Sequence, residues 1–426
     1  MSLFPLVAFI LFILGYVLIT FEQKVHVHKS AISLSLAGVL WILVAFSGLS
    51  HETVQLHLSE ASIDIFGIII FLLSAMTLVE ILVHYHFFDL IRIWLVKMGL
   101  EDRSQFLVLM FVTFFLSAIL DNLTVTIVMI QISRRFFEKR NLLVATAGIV
   151  IMANAGGAWS PIGDVTTLMI WLERKYTAFQ LITEAFLPSV ALMIVSTTLL
   201  MKQIRGTTKD DLEVADSVHF TRGEKAIIIS ALGSFTLPLA MHTIGLEPYM
   251  GLLFGLGVVW SITEFVKSRS QKITHLEANI ESLLQKTDIA SIKFFIGILL
   301  SVSALQSLGV LEHLSRLLFG TNPDLLRGIV ANIGLGLISA ILDNVPLTAL
   351  ALEILQTTNH HLWILLALAV GTGGSVLVVG SVAGVIAMGM IKELTFEAYF
   401  KIASFPALAG YFVAMGVWYL QFVIWG

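Results

Sequence analysis

Long apolar runs separated by short polar breaks set the pattern of this chain, and many of the runs are of membrane length. A helix of roughly 17 to 25 apolar residues can cross a bilayer. Uninterrupted runs of that kind occupy 3–19, 31–49, 64–83, 181–201, 225–243, 249–266, 290–309 and 402–424. Runs 142–171 and 362–390 are equally long but are interrupted by glycine-rich polar stretches. Runs 105–133 and 325–355 each carry an Asp-Asn pair near the middle. No strand pattern competes with the helical reading, so the expected class is an all-α polytopic membrane protein.

The two Asp-Asn runs are copies of one another. Ser117-Ala118-Ile119-Leu120-Asp121-Asn122 recurs unchanged as Ser339-Ala340-Ile341-Leu342-Asp343-Asn344. A mid-membrane Asp costs roughly 2.5 to 3.5 kcal/mol on the insertion scale. Spending it twice at matching places points to a functional site facing a polar interior.

Charge then separates kinked spans from re-entrant hairpins. Arg92, Lys97 and Arg103 precede the first Asp-Asn run, and Arg134, Arg135, Lys139 and Arg140 follow it. A single crossing would place one of these clusters outside, against the positive-inside rule. A hairpin returns both to the cytoplasm, and such backbone is tolerated where it is buried or lines a wet cavity. With both runs read as hairpins, only Arg174, Lys175, Arg316 and Arg327 of the 25 Lys and Arg fall outside, and both termini face outward. Residues 64–201 form a first repeat, with a cytoplasmic hairpin at 105–133 and a broken helix at 142–171. Residues 290–426 form a second, inverted repeat, with an outer hairpin at 325–355 and a broken helix at 362–390. Residues 1–63 hold two helices outside the repeats. Residues 202–289 connect the repeats through two spans, a charged loop at 202–224 and a stretch at 267–288 whose Ile273, Leu276, Ile280, Leu283 and Leu284 have helical spacing. Inverted repeats with broken helices at the midplane are a transporter signature.

Composition agrees. The 426 residues are 57% apolar and 13% charged, with a mean hydropathy of +0.93, against about 25% charged residues in a soluble domain. The absence of cysteine excludes disulfides, thiol catalysis and cysteine metal sites. No basic residue precedes run 3–19 and no small-residue cleavage site follows it, so it reads as a first span rather than a leader.

The candidate chemistry sits at the breaks. Asp121, Asn122, Thr124, Asp343 and Asn344 offer hard oxygen ligands at the hairpin tips, the type hard cations take, and no basic residue lies near either tip. Asn154-Ala155-Gly156-Gly157-Ala158-Trp159-Ser160-Pro161-Ile162-Gly163-Asp164-Val165-Thr166-Thr167 breaks one span. Gly371-Thr372-Gly373-Gly374-Ser375, followed by Gly380-Ser381, breaks the other. Aligned through their glycines, Asp164 matches Ser381 and Asn154 matches Gly371, which displaces the expected ion site toward the first repeat. A phosphate loop at 371–375 is disfavoured, since no strand precedes it and its lysine is missing. Glu80, Ser117, Ser339, Thr372 and Ser375 are candidates for supporting the ligands or passing protons. For Ser117 and Ser339 the competing reading is helix packing, and for Glu80 a hydrogen-bonded buried acid. Glu353 reads as a solvated rim acid, Glu173 and Arg174 as a span end, and His84 and His86 as interfacial. Trp94, Trp171 and Trp418 read as interface anchors.

The Ser-Ala-Ile-Leu-Asp-Asn-Leu-Thr motif at 117–124, the long motif at 154–167, Asp-Asn-Val-Pro-Leu at 343–347 and Gly-Thr-Gly-Gly-Ser at 371–375 resemble NhaD-type sodium/proton antiporters of the ion transporter superfamily. The resemblance implies that superfamily's fold, with inverted repeats, two re-entrant hairpins, two discontinuous helices, and a homodimer of scaffold and transport domains. It also implies a secondary antiporter, not an enzyme, exchanging intracellular Na⁺ or Li⁺ for external H⁺ across a bacterial inner membrane, with roles in sodium transport and pH homeostasis. On this reading no cofactor is needed beyond the transported ions, the partners are membrane lipid and a second copy, and nucleic acid is not among them. Asp121, Asp164 and Asp343, helped by Asn122, Asn154, Thr124, Thr166, Thr167, Asn344 and Ser381, would hold either Na⁺ or protons, with elevator-like alternating access. The rival readings are an anion carrier of the dicarboxylate or arsenite type, an ion channel, and an intramembrane aspartyl hydrolase.

Overall fold

The structure, a computed structural model, describes residues 3–20, 22–205, 220–269, 280–285, 287–319 and 324–425. Among the described residues every regular element is helical. Six helices among the described residues are long and apolar enough to cross a membrane, and a seventh span arises when Arg222–Ser234 and Leu237–Thr243 are taken as one bent pair. Leu3–Thr20 and the two broken helices coincide with the remaining runs that the hydrophobic pattern marks as spans.

Each repeat follows one order. A span, His51–His84 or Ile289–Ser307, leads into a short linking helix, Phe87–Lys97 or Val310–Phe319. A hairpin follows, Asp102–Ser117 with Asn122–Phe136, or Leu325–Ile338 with Asn344–Ile354. Next is a broken helix, Lys139–Gly157 with Val165–Leu172, or His360–Gly373 with Val382–Met390. A final span closes the unit, Ala178–Met201 or Phe405–Trp425. The linking helices fall between the apolar runs, too short and too charged to stand out as spans.

The repeats interlock. The first limb of each hairpin lies along the first half of its own broken helix, and the second limb reaches across to the second half of the other repeat's broken helix. Glycine permits the approach. A Cβ on Gly156 would overlap the Phe114 carbonyl, and one on Gly373 would overlap the Gly336 carbonyl. Likewise a Cβ on Gly163 would overlap the Ser117 carbonyl, and one on Gly380 the Ser339 carbonyl. Ser117 donates to the Ala153 carbonyl at 2.6 Å and Ser339 to the Val370 carbonyl at 2.9 Å. These two serines therefore fasten hairpin to broken helix, the packing reading.

The first two helices serve the second repeat. Lys29–Phe46 packs along Ile289–Ser307, where Ser30 donates to the Ala290 carbonyl at 2.6 Å and the Trp41 indole to the Leu300 carbonyl at 3.0 Å. Leu3–Thr20 packs on Lys29–Phe46 and directs the Tyr16 hydroxyl to the Asp343 carbonyl, 3.5 Å away.

Several boundaries differ from the hydrophobic pattern. The third span begins at His51, not 64, and runs 34 residues. Ser50 caps it by accepting from the Thr53 amide, and no proline interrupts 51–84, so the polar first turns simply continue the helix. At 1.5 Å per residue its length is about 50 Å, beyond the ~30 Å hydrocarbon core. Span 225–243 bends by 41° at the residues before Pro238, which sits in the first turn of the second piece. The last span carries a π-helical stretch at Phe400–Ser404. There Pro406 has no N–H for the Ile402 carbonyl, and the Gln203 amide donates to that carbonyl instead at 2.9 Å. Trp171 and Trp418 are 0% and 1% exposed. They are core residues, packed on His242 and Phe422, and of the three Trp94 alone is exposed as an anchor would be. Ile273 and Leu276 of the amphipathic pattern, and 206–219 of the charged loop, lie outside the described residues. Ile280–Leu284 is helical, with Leu283 buried.

The glycine contacts predict a sharp contrast. Gly156→Ala and Gly373→Ala should each lower the thermal stability of the purified protein by overpacking, about 1–3 kcal/mol. Gly334→Ala, with nothing within 4 Å of the added methyl, should leave it unchanged. Equal melting temperatures for all three variants would contradict the packing described.

Candidate functional site

Four half-helices begin in the middle of the molecule, and each is capped by the residue just before it. The Asp121 side chain accepts from the Thr124 amide, Asp164 from Thr166, Asp343 from Val345, and Ser381 from Gly384. Capping satisfies orphan amides, and the positive end of the helix favours an oxygen anion there. Asp121 accepts twice from Thr124, at 2.9 Å from the amide and 2.7 Å from the hydroxyl. Asp343 accepts from the Val345 amide at 3.1 Å.

Asp164 is different. Its side chain is 2% exposed, and one oxygen is spent on the cap, 3.1 Å from the Thr166 amide. The other oxygen accepts from Asn122 of the first hairpin at 3.2 Å and from Asn344 of the second at 3.4 Å. One carboxylate oxygen therefore joins the two inverted hairpins. Asn122 also donates to the Asn154 carboxamide oxygen at 3.0 Å. The Asn154 amide in turn donates to Ser375 at 2.9 Å and to Ser381 at 3.0 Å. The result is one buried network across both repeats. Such a network stabilises a single arrangement only when its members are satisfied.

A cavity of about 50 Å³ adjoins this network, lined by Asp121, Asn122, Asp164 and Asn344 on one side and by Phe71, Met76, Phe235 and Phe295 on the other. The first group belongs to the hairpins and a broken helix; the second comes from the long spans. No lysine or arginine lines it.

The structure thus brings Asn122, Asn154, Asp164, Asn344, Ser375 and Ser381 into one hydrogen-bonded cluster. Asp121 reaches the shared cavity but bonds within its own hairpin. Asp343 is not part of the cavity lining. Thr124 serves Asp121. Thr167 turns away from the cluster, donating to the carbonyls of Ser160 and Asp164, and Thr372 bonds back to the Leu368 carbonyl. Thr166 is fully buried beside the Asp164 carboxylate, and its hydroxyl forms no well-shaped hydrogen bond. Glu80 is half-buried, one helical turn beyond the cavity-lining Met76 on the same face.

Some features were not read from the sequence. A second cavity of about 540 Å³ lies on the predicted outer side, lined by Glu60, Asp64, Glu173 and Glu353 among others. It joins the long spans to the second hairpin and first broken helix. Glu353, read above as a rim acid, and Glu173, read as a span end, thus share one acidic vestibule. Its signal in the sequence was the Glu60–Asp64 spacing of four residues, hidden by starting the span at 64. Nearby, Glu184 holds His361 at 2.8 Å and His360 at 3.2 Å, tying the start of the second broken helix to Ala178–Met201.

Comparison with known proteins accords with this geometry. A family model described as citrate transporter, CitMHS, matches residues 16–371. The chain is 37% identical to sodium/proton antiporter 2 of Arabidopsis thaliana over 94% of its length and 96% of that protein. It is 37% identical to sodium/proton antiporter 1 of the same plant over 94% of its length and 70% of that protein. It is 30% identical to the Na⁺/H⁺ antiporter NhaD of Alkalimonas amylolytica over 98% of its length and 90% of that protein. These are transporters, not enzymes, and the chain, a multi-pass membrane protein, belongs to the CitMHS transporter family together with the NhaD-type sodium/proton antiporters.

Proposed function

We propose that this protein exchanges Na⁺ for H⁺, with Asp164 as the carboxylate that holds one or the other. The observation that carries the reading is the shared oxygen of Asp164, gripped by one amide from each hairpin at the edge of an acid-lined cavity. Na⁺ is a hard cation that takes carboxylate, hydroxyl and carboxamide oxygens. Asp164, Asp121, Thr166 and the carboxamide oxygens of Asn122 and Asn344 supply that donor set once the amides swing. Asp343 adds negative charge to the field without reaching the cavity. When cation and proton compete for one carboxylate, neither crosses without the other returning.

The family model is named for citrate, and an anion carrier is the rival. The site argues against it. The two hairpin amides that an anion would need are already donating to Asp164, no basic side chain faces the cavity, and two carboxylates do. The cavity suits an ion with a few waters better than a dicarboxylate. We further assign a rigid shift of the hairpins and broken helices against the long spans as the moving step, since the cavity lies where the two groups of helices meet. Transport of Li⁺, a homodimer, the bacterial inner membrane and a role in pH homeostasis belong to the same proposal. The bias of basic residues to one side and the near full-length match to bacterial NhaD support the inner membrane.

In everted vesicles from cells lacking their own antiporters, Na⁺ should collapse a preformed proton gradient. Asp164→Asn should abolish that response while the protein still inserts. Asp121→Asn and Asp343→Asn should weaken it by removing field and cavity charge. Full exchange in Asp164→Asn, or uptake of a dicarboxylate in place of Na⁺-dependent proton flux, would refute the proposal.

A further inference from the structure

The inverted repeats make the site pseudo-symmetric, and the symmetry crosses the molecule. Asn154 of the first repeat meets Ser381 of the second. The same operation sends Gly371, the counterpart of Asn154, to Asp164, the counterpart of Ser381. A methyl built on Gly371 would stand 3.6 Å from an Asp164 carboxylate oxygen and 3.5 Å from the Thr166 hydroxyl.

The two halves are then chemically opposite. On the Ser381 side, the Asn154 amide donates to Ser375 and Ser381, and its oxygen accepts from Asn122. That half is neutral and internally satisfied. A cation entering it would have to break these bonds and would find no carboxylate. On the Asp164 side there is a carboxylate, a buried hydroxyl without a well-formed hydrogen bond, and a glycine in place of the carboxamide. An asparagine at 371 would aim an amide donor at Asp164 and close that half as Asn154 closes the other.

We infer that the protein seats a single cation, in the Asp164-centred donor set described above, with Gly371 closing the seat behind Asp164 and Thr166, and that the missing side chain at Gly371 sets the size of ion admitted. The inference rests on the antiport reading and sharpens it to one seat out of two symmetric positions. The nearest neighbours of the added methyl lie at 3.5–3.6 Å, ordinary contact distances. Gly371→Ala should therefore fold, yet fill space that Na⁺ uses. A methyl-sized change in a close-fitting site is worth about tenfold or more, and Li⁺, being smaller, should lose less.

Two measurements test this. Equilibrium binding of radioactive sodium to the purified full-length protein should saturate at one ion per chain; two ions per chain would overturn the inference. In vesicles, Gly371→Ala should raise the KM for Na⁺ at least about tenfold while the KM for Li⁺ moves clearly less. An unchanged Na⁺-to-Li⁺ ratio of KM values would overturn it as well. If the unmodified protein neither binds nor exchanges Na⁺, the antiport reading itself fails. If it exchanges normally and only the ion count or the Gly371→Ala ratio disagrees, this inference alone falls. Should Gly371→Ala fail to accumulate, the ion count still decides.

Discussion

A carboxylate buried between apolar helices must be compensated, because a bare charge there is costly. In this protein Asp164 is compensated by one backbone amide and two carboxamides, and each carboxamide comes from a different hairpin. Much of the architecture follows from that arrangement. Both hairpins must end at the same depth, both must present an Asn immediately after the cap, and the broken helix must stop where its new N-terminus delivers Asp164 between them. The bond to each amide is also what a cation would disturb, so the same contacts that hold the hairpins together register what occupies the carboxylate.

Backbone closeness makes the arrangement rigid. The glycine pairs Gly156 with Gly373 and Gly163 with Gly380 let hairpin and broken helix touch carbonyl to Cα in both repeats. Small residues at such crossings are how membrane helices gain packing without a hydrophobic driving force. Within this near-symmetric frame, two of the side-chain differences fall at the site itself: Asp164 against Ser381, and Asn154 against Gly371. The long spans contribute the apolar opposite wall through Phe71, Met76 and Phe295. The first two helices brace that wall from the second repeat's side, with Tyr16 reaching the Asp343 carbonyl.

Much of this was legible in the sequence, for physical reasons. The Asp-Asn runs stood out because polar residues in hydrocarbon are expensive, and the hairpin reading followed from basic residues on both flanks. The glycine pairs located the helix breaks, and the Asp164–Ser381 pairing located the asymmetry. What stayed hidden depended on tertiary contact. Nothing local says that Asp121 and Asp343 spend their oxygens on caps while Asn122 and Asn344 face Asp164. Nor does hydropathy distinguish Trp171 and Trp418, which are core, from Trp94, which is exposed. The bend before Pro238 and the π-helical stretch before Pro406 were signalled by proline, yet the apolar runs around them read as continuous. The acidic vestibule was missed because its four carboxylates come from three separate segments.

The central claim is that Na⁺ and a proton occupy the same carboxylate, Asp164. Infrared difference spectroscopy on the purified protein, with and without Na⁺ at fixed pH, tests it most directly. The account predicts that Na⁺ removes a protonated-carboxyl band, and that this difference is absent in Asp164→Asn. Binding of Na⁺ with no loss of protonated carboxyl, or the same difference band persisting in Asp164→Asn, would contradict it.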